Sequence, residues 1–219
     1  LVSLGQVALF AVGAAVAGAA ISSWEVDLVP AALLAMLAGA AVATLVGVPA
    51  LRLRGLSLAI TTFAFALATT SYLLRHEHFG WVPDERIERA NLLGGISIAS
   101  ETQVYYLALG VLALVMLALR GIRSGRFGRA IMALRDNERA AQAYAIDPAR
   151  AQLAAFALSG AIAALAGALF VHHERSFDTS SYAPIENLAV FTMVVVGGMS
   201  TITGAVLGAL FLLGARWFL

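Results

Sequence analysis

The chain has 219 residues, of which 61% are hydrophobic and only 12% are charged, and its mean hydropathy is +0.87. Soluble domains are closer to half apolar, so this composition indicates a protein that folds in a membrane. The net charge is +1 and no basic stripe is interleaved with aromatic residues, so we expect no nucleic-acid partner.

Six uncharged, apolar runs follow one another along the chain and predict membrane-spanning helices. A span needs about 20 apolar residues to cross about 30 Å of hydrocarbon, and each of the first five runs fits one crossing. We therefore predict an all-α, polytopic transmembrane bundle with about six to seven spans or part-spans. It forms a single domain over residues 1–219, which we expect to be truncated at both ends. The six runs are Leu1–Trp24, Leu28–Leu51, Gly55–Leu74, Thr102–Leu119, Ala151–Val171 and Asn187–Ala215.

The last of these runs is too short for two full spans and is interrupted by glycines. Gly197, Gly198 and Gly204 predict a broken helix, because each glycine weakens a helix by about 1 kcal/mol relative to alanine. We expect one helix over residues 185–196 and a second from Ala205 onward. Irregular backbone at membrane depth is tolerated where it lines a cavity or is buried in protein. The alternative, which the sequence leaves open, is a tight cytoplasmic turn between two tilted spans.

The arginines predict which connections face the cytoplasm. All fourteen basic residues are arginine, and nine of them fall in the connections at residues 50–54 and 120–150. The connections at residues 25–27, 75–101 and 173–186 hold four arginines and ten of the thirteen acidic residues. Short arginine-rich connections stay in the cytoplasm. The sides then alternate along the chain without conflict, and the protein is predicted to be a multi-pass membrane protein.

Missing residue types exclude several classes of chemistry. Without cysteine there is no disulfide, thiolate zinc site or cysteine nucleophile, and without lysine there is no P-loop. Any ATP that powers this protein must therefore bind to a partner chain, and we expect no cofactor in this one. The spans contain no His, Asp or Glu at depth, so we predict that the chain is not an enzyme. The same absence disfavours ion-coupled transport.

Two histidine pairs are the only pattern that suggests a metal. His76 and His78 form one pair, and His172 and His173 form the other. All four are predicted at the external ends of spans, where amphipathic rings are expected at the water interface. Cysteine or carboxylate ligands at a suitable spacing are missing. We therefore predict no metal site.

A few polar residues inside the spans are candidates for a solute path. Gln6 has an amide that is difficult to hide in a bundle, and Thr61 and Thr62 lie beside aromatic residues that include Phe65. Threonine in a helix usually donates to the carbonyl one turn back, which is the structural alternative. We predict that Gln6, Thr61, Thr62 and Phe65 line the path.

The cytoplasmic connection at residues 121–150 combines helix signals with helix breaks. Phe127, Ala130, Ile131 and Leu134 recur at helical spacing, and Asp136 or Asn137 is a candidate N-cap for a second short helix through Ala145. Asp147 and Pro148 then supply an N-cap and a first-turn proline for the next span. Two short amphipathic helices suit a partner's groove. The alternative is a solvated basic loop that only fixes topology.

The same connection resembles a known family. GRFGRAIMALRDNERAAQAYAID is similar to the cytoplasmic loop of permeases from branched-chain amino-acid ABC importers, except that Ala145 stands where the family usually has glycine. LVSLGQVALFAVGAAVAG, LRLRGLSLAITTFAFA and LAVFTMVVVGGMSTITGAVLGA resemble further family segments in the same order, with a departure at Ser200. The loop matches at Gly128, Arg129, Ala133, Leu134, Arg135, Asp136, Asn137, Glu138, Ala140, Ala141 and Ile146.

The resemblance implies a permease subunit of an ATP-driven importer in the plasma (cell inner) membrane. Its implied partners are ABC ATPase subunits that bind ATP, a second permease subunit (identical or different), and an extracytoplasmic solute-binding protein. The implied solutes are branched-chain amino acids or a related small solute such as urea or a short amide. The alternative function is a secondary transporter or channel for a small neutral solute. The resemblance also implies that the ATPase contacts residues 128–146. Hydrogen bonds across this interface would come from Arg135, Asp136, Asn137 and Glu138. The groove of the interface would be filled by Ile131, Leu134 and Ala141.

Overall fold

The computed structural model describes residues 3–53, 55–83, 86–98, 100–199 and 201–218. These residues form nine α-helices and no strand, which confirms the all-α prediction. Five helical segments are long and apolar enough to cross a membrane: Gln6–Trp24, Leu28–Ala50, Leu56–Leu73, Glu101–Ser124 and Pro148–Glu174. The third of these combines an α-helix with a π-helical turn, and Glu186–Gly197 with Ile202–Ala215 forms a bent pair that could count as a sixth span. The helices are α1 (Gln6–Trp24), α2 (Leu28–Ala50), α3 (Leu56–Ala68), α4 (Glu101–Ser124), α5 (Arg126–Asp136), α6 (Glu138–Ala143), α7 (Pro148–Glu174), α8 (Glu186–Gly197) and α9 (Ile202–Phe218).

Small residues hold α1, α2 and α7 together as the packed centre of the bundle. Gly13 lies so close to Ala164 that an added Cβ would overlap its backbone. Gly39 of α2 and Gly160 of α7 face each other in the same way. Without a hydrophobic driving force between helices in lipid, such close backbone contact supplies the dispersion energy that holds spans together. The small-residue faces of α1, α2 and α7 are therefore the contact surfaces of the core.

The connections before and after α2 lie at opposite ends of the bundle, as the predicted alternation requires. Leu53, in the turn between α2 and α3, lines one cavity together with Glu138 and Pro148. We call this the arginine-rich end, because it holds the two connections with most arginines; Arg54 lies outside the described residues. At the opposite end, the Leu28 amide donates to the Asn91 carbonyl at 2.8 Å. Of the acidic residues predicted there, Asp84 and Glu85 also lie outside the described residues.

The predicted break near the C-terminal end of the chain is present but shorter than expected. α8 ends at Gly197, Gly198 has φ +99°, and α9 begins at Ile202 with a bend of 119°. Gly204, predicted to lie in the break, is inside α9, where its lack of a side chain lets the Gly197 carbonyl approach. Ser200 lies outside the described residues.

This turn lies near the arginine-rich end of the bundle. Met199 and Ile202 line a cavity together with Leu119 and Ile122 from the last turns of α4. Of the two readings that the sequence left open, the structure therefore favours a turn between two tilted helices over a break in the middle of the membrane.

Irregular backbone reaches the middle of the bundle elsewhere, at the starts of α1 and α8. The Val7 amide donates to Asn187 Oδ1 at 3.0 Å, and Gln6 Nε2 donates to Ser159 Oγ at 3.0 Å. Because Ser159 is near the middle of α7, both helix starts lie at about half the depth of that span. The connection after α7, predicted to be external throughout, therefore runs back into the bundle before α8 begins.

Candidate functional site

The junction of α4 and α5 is fixed by the first two residues of the motif. An added Cβ on Gly128 would overlap the backbone of Ile122 and Arg123, so only glycine lets α5 approach the end of α4 this closely. Arg129 Nη1 donates to the Ser124 carbonyl at 2.7 Å. A cation is stabilising at a helix C-terminus, where backbone carbonyls lack partners. Gly128 and Arg129 therefore position α5 relative to α4.

The junction of α5 and α6 is an N-cap, as the sequence predicted. The candidates were Asp136 and Asn137, and the structure selects Asn137, whose Oδ1 accepts from the Ala140 amide at 3.1 Å. Glu138 follows in the first turn of α6, where its negative charge interacts favourably with the positive end of the helix dipole. The single residue Asn137 thus separates two helices and sets the angle between them.

The C-terminal end of α6 is a Schellman motif centred on Ala145. Its φ is +60°, the Ala145 amide donates to the Gln142 carbonyl at 3.0 Å, and the Ile146 amide donates to the Ala141 carbonyl at 3.2 Å. The second helix was predicted to continue through Ala145 but ends at Ala143, because this turn reverses the chain. The position where the family usually has glycine is therefore one that needs left-handed backbone.

The next span starts as predicted. Asp147 Oδ1 accepts from the amides of Ala149 at 2.9 Å and Arg150 at 3.3 Å, and Pro148 occupies the first helical position of α7. All of these contacts join residues close in sequence. The segment of α5 and α6 is therefore shaped mainly by its own caps.

One face of α5 and the facing side of α6 form an open groove. Asp136, Ala140 and Ala141 belong to the matched motif, and Tyr144 at the rim is 84% exposed. The groove has a volume of about 600 Å³ and consists of alanines with charged groups along its edge. Its full lining is Arg126, Arg129, Ala130, Ala133, Asp136, Asn137, Ala140, Ala141, Tyr144 and Ile146. We call this surface the α5–α6 groove.

The opposite face of α5 contains other residues that the resemblance assigns to the ATPase contact. Gly128, Ile131 and Arg135 line a separate cavity between α4, α5, α7 and the α8–α9 turn. Glu138 lines a third cavity, beside the α2–α3 turn and the start of α7. Leu134 is half-buried. The four polar residues from Arg135 to Glu138 were predicted to act as one contact, but the structure spreads them over three surfaces.

The candidate path residues lie around the start of α1. Thr62 is buried, donates to the Leu58 carbonyl at 3.0 Å, and accepts from the Leu4 amide at 2.9 Å. Thr62 and Phe65 line a cavity of about 10 Å³, which holds one water at most. Thr61 donates to the Ser57 carbonyl at 2.9 Å and does not line that cavity. Gln6 faces Ser159 on α7 instead.

Gln6, Ser159 and Asn187 lie around the starts of α1 and α8, and we call this group the polar junction. Ser159 and Asn187 were not among the residues predicted from the sequence. Asn187 is 2% exposed and accepts from the first turn of α1. A signal existed, because both are polar residues within apolar runs. The pairing itself joins positions 180 residues apart and has no local signature.

The histidines require one correction. His172 was predicted at the water interface but is buried, with 1% of its surface exposed. It lies in the last turn of α7, on the side that packs against the core. Among the described residues, no three His, Asp or Glu side chains are grouped closely enough to hold a metal ion.

Comparison with known proteins identifies a family for this chain. Residues 1–216 match the family model described as branched-chain amino acid transport system / permease component. Two curated relatives, from Salmonella typhimurium (strain LT2) and Escherichia coli (strain K12), are both named high-affinity branched-chain amino acid transport system permease protein LivM. Each is 32% identical over 208 residues, which covers 84% of this chain and 49% of the relative.

The chain thus spans about half the length of the curated relatives it matches. No solved structure gives a significant match. The family model, in contrast, covers nearly every residue, including all five long spans and the α5–α6 segment. The chain therefore belongs to the family of permease components of branched-chain amino acid transport systems.

Proposed function

We propose that this chain forms the membrane pathway of an ATP-driven importer in the cell inner membrane. The solute is a branched-chain amino acid or a related small solute, delivered by an extracytoplasmic binding protein. ATP is bound and hydrolysed by separate ATPase subunits, and a second permease subunit completes the pathway. Family membership and the printed names of the two relatives support this proposal.

The α5–α6 groove is the observation on which the mechanism depends. It is open, it belongs to the arginine-rich end, and Asp136, Asn137 and Ala140 of the matched motif line it. The Asn137 side chain caps the start of α6 and backbone hydrogen bonds close its end, so the caps fix the shape of α6 without using the side chains of Asp136 or Ala140. A preformed surface of this kind binds a partner at a lower entropic cost. We place the ATPase contact here, and the opposite face of α5, with Ile131 and Arg135, outside it.

The solute path lies at the polar junction between the starts of α1 and α8. Gln6, Ser159 and Asn187 bring amide and hydroxyl groups together near half the depth of α7, among spans that are mainly apolar. Substrate sites of transporters lie near the midplane where helices are interrupted. Thr62 and Phe65 border the junction on the side of α3. Thr61 has the least support among the predicted path residues, because it does not line the cavity beside Thr62 and Phe65.

The test reverses one charge in the groove of the full-length protein, co-expressed with its ATPase subunits. Asp136→Arg should lower ATPase retention about 30-fold or more, since losing a charged partner in a desolvated contact costs about 2–5 kcal/mol. Folded permease in the membrane should remain near the wild-type amount, because Asp136 is exposed and outside the core. Retention during purification and solute-stimulated ATP hydrolysis measure the effect.

Two further variants make the result specific. Arg139→Glu in α6 changes the charge by two units in the opposite direction but is not in the groove lining, so retention should change little. Gln6→Leu lies in the bundle and should reduce solute uptake while the ATPase stays bound. If Asp136→Arg keeps its ATPase and transports normally, the segment acts only as a topology signal and the contact surface is wrong.

A further inference from the structure

A second cavity at the arginine-rich end has two chemically distinct parts. It has a volume of about 450 Å³ and lies between α4, α5, α7 and the α8–α9 turn. Its inner part is mainly apolar, with Ile131 from α5, Leu158 and Ile162 from α7, and Met199 from the turn, and Ser159 of α7 adds a hydroxyl group that accepts from Gln6. Arg123 from α4 and Arg135 from α5 lie at its rim, where both side chains are exposed. No acidic residue lines it.

The position of the cavity matches the boundary between headgroups and hydrocarbon. The arginines belong to the last turns of α4 and α5, at the end that the arginine distribution assigns to the cytoplasm. Ile162 lies near the middle of α7, so the apolar part extends from that boundary into the hydrocarbon layer. A water-soluble ligand would leave this apolar part unfilled. A purely apolar ligand would not use the two cations.

We propose that this cavity binds one anionic phospholipid of the cytoplasmic leaflet. Its phosphate contacts the guanidinium groups of Arg123 and Arg135, and part of one acyl chain lies between α5 and α7 against Ile131 and Leu158. Basic pockets between membrane helices on the cytoplasmic side bind anionic headgroups through the same combination of charge and apolar surface. Arginine suits this role because its planar donors match phosphate oxygens in pairs.

The bound lipid would lie between the ATPase-facing segment and the α8–α9 turn. Ile131 and Arg135 share one face of α5, one helical turn apart, and the opposite face forms the α5–α6 groove. Met199 and Ile202 of the turn close the other side of the cavity. The lipid therefore supports α5 from the side of the membrane.

The test titrates detergent-purified, full-length protein with phosphatidylglycerol and with phosphatidylcholine of the same acyl chains, read by native mass spectrometry. We expect tighter binding of phosphatidylglycerol to the wild-type protein. Arg123→Gln with Arg135→Gln should weaken it about 25-fold, at about 5-fold for each arginine near an anionic lipid. The matched control, Arg126→Gln with Arg139→Gln, removes the same charge from the same segment outside the cavity and should change binding less than 3-fold at constant melting temperature.

Two outcomes would overturn the proposal. One is equal weakening by both double variants, which would mean diffuse attraction to the whole basic surface. The other comes from a photoreactive group placed at Met132, which lines the cavity and is 44% exposed. Crosslinking to phosphatidylglycerol supports the lipid, whereas crosslinking to a protein segment would show that protein fills the cavity. A variant that fails to fold is replaced by Ile131→Ser, which keeps both arginines and should also weaken phosphatidylglycerol binding.

Discussion

The packed core of α1, α2 and α7 and the segment of α5 and α6 are built on opposite principles. The core joins residues far apart in sequence, through surfaces where side chains are nearly absent, such as Gly13 against Ala164. The α5–α6 segment is shaped by contacts between near neighbours, such as Asn137 capping its own helix. Where two backbones touch at a glycine, an added side chain has no space. Local capping leaves the outward side chains free for a partner, so stability and coupling can be changed separately.

The largest effect should come from adding a side chain to the core. Gly167 of α7 lies so close to the Phe10 carbonyl that an added Cβ would overlap it, and neither backbone can move without opening the bundle. Overpacking a tight site lowers the free energy of unfolding by about 1–3 kcal/mol and sometimes more. Because the neighbour of Gly167 is backbone, we expect Gly167→Val to reach the upper end of that range. We expect a clear fall in melting temperature in detergent and a loss of folded protein from the membrane.

Gly110→Val is the matched control for that variant. Gly110 lies within α4, and an added Cβ there has no neighbour within 4 Å. The same change of residue should therefore leave the melting temperature within about 2 °C, since surface substitutions usually change stability by less than about 0.5 kcal/mol. Equal effects at the two positions would mean that valine harms these helices in general and that the close packing of α7 on α1 is not the cause.

A smaller effect, of a different kind, is expected at the junction of α4 and α5. An added Cβ on Gly128 would overlap the backbone of Arg123, so Gly128→Ala must tilt α5 away from its present position. This overpacking destabilises the position of the α5–α6 segment by about 1–3 kcal/mol and leaves the packing of the core unchanged. We expect ATPase retention to fall at least 5-fold while the melting temperature stays near the wild-type value. Gly121→Ala, in the last turn of α4 and seven residues before Gly128, has no neighbour near the added Cβ and should change neither measurement.

The sequence could predict the features that depend on local or average properties. The spans followed from uncharged length, and the caps at Asn137 and Asp147 followed from residue type, because each acts on backbone within three residues. The opposite faces of α5 were not predictable, because residues that are adjacent in the motif, such as Arg135 and Asp136, point to different cavities on the folded chain. The pairing of Asn187 with α1 and the burial of His172 also depend on packing between distant segments.

The smallest effect is expected at the turn that ends α6, where the substitution changes only local capping. Ala145 has φ +60°, a region that costs a non-glycine residue about 1–2 kcal/mol, so Ala145→Gly relieves strain in the folded segment. Part of this gain is offset, because glycine gives the unfolded chain about 0.4–1 kcal/mol of extra entropy. We expect a net stabilisation of about 0.5 kcal/mol, seen as slower hydrogen exchange at the amides of Ala145 and Ile146, both of which donate within the Schellman motif.

The same substitution two residues earlier should have the opposite sign. Ala143 is the last residue of α6, where glycine costs up to about 1 kcal/mol relative to alanine, so Ala143→Gly should speed exchange at the same amides. The unfolded-state entropy is the same for both variants, so the difference between them isolates the left-handed backbone at Ala145. If both variants speed exchange equally, Ala145 does not adopt the left-handed conformation in solution. The α5–α6 segment would then owe its shape to contacts with the bundle and not to its own caps.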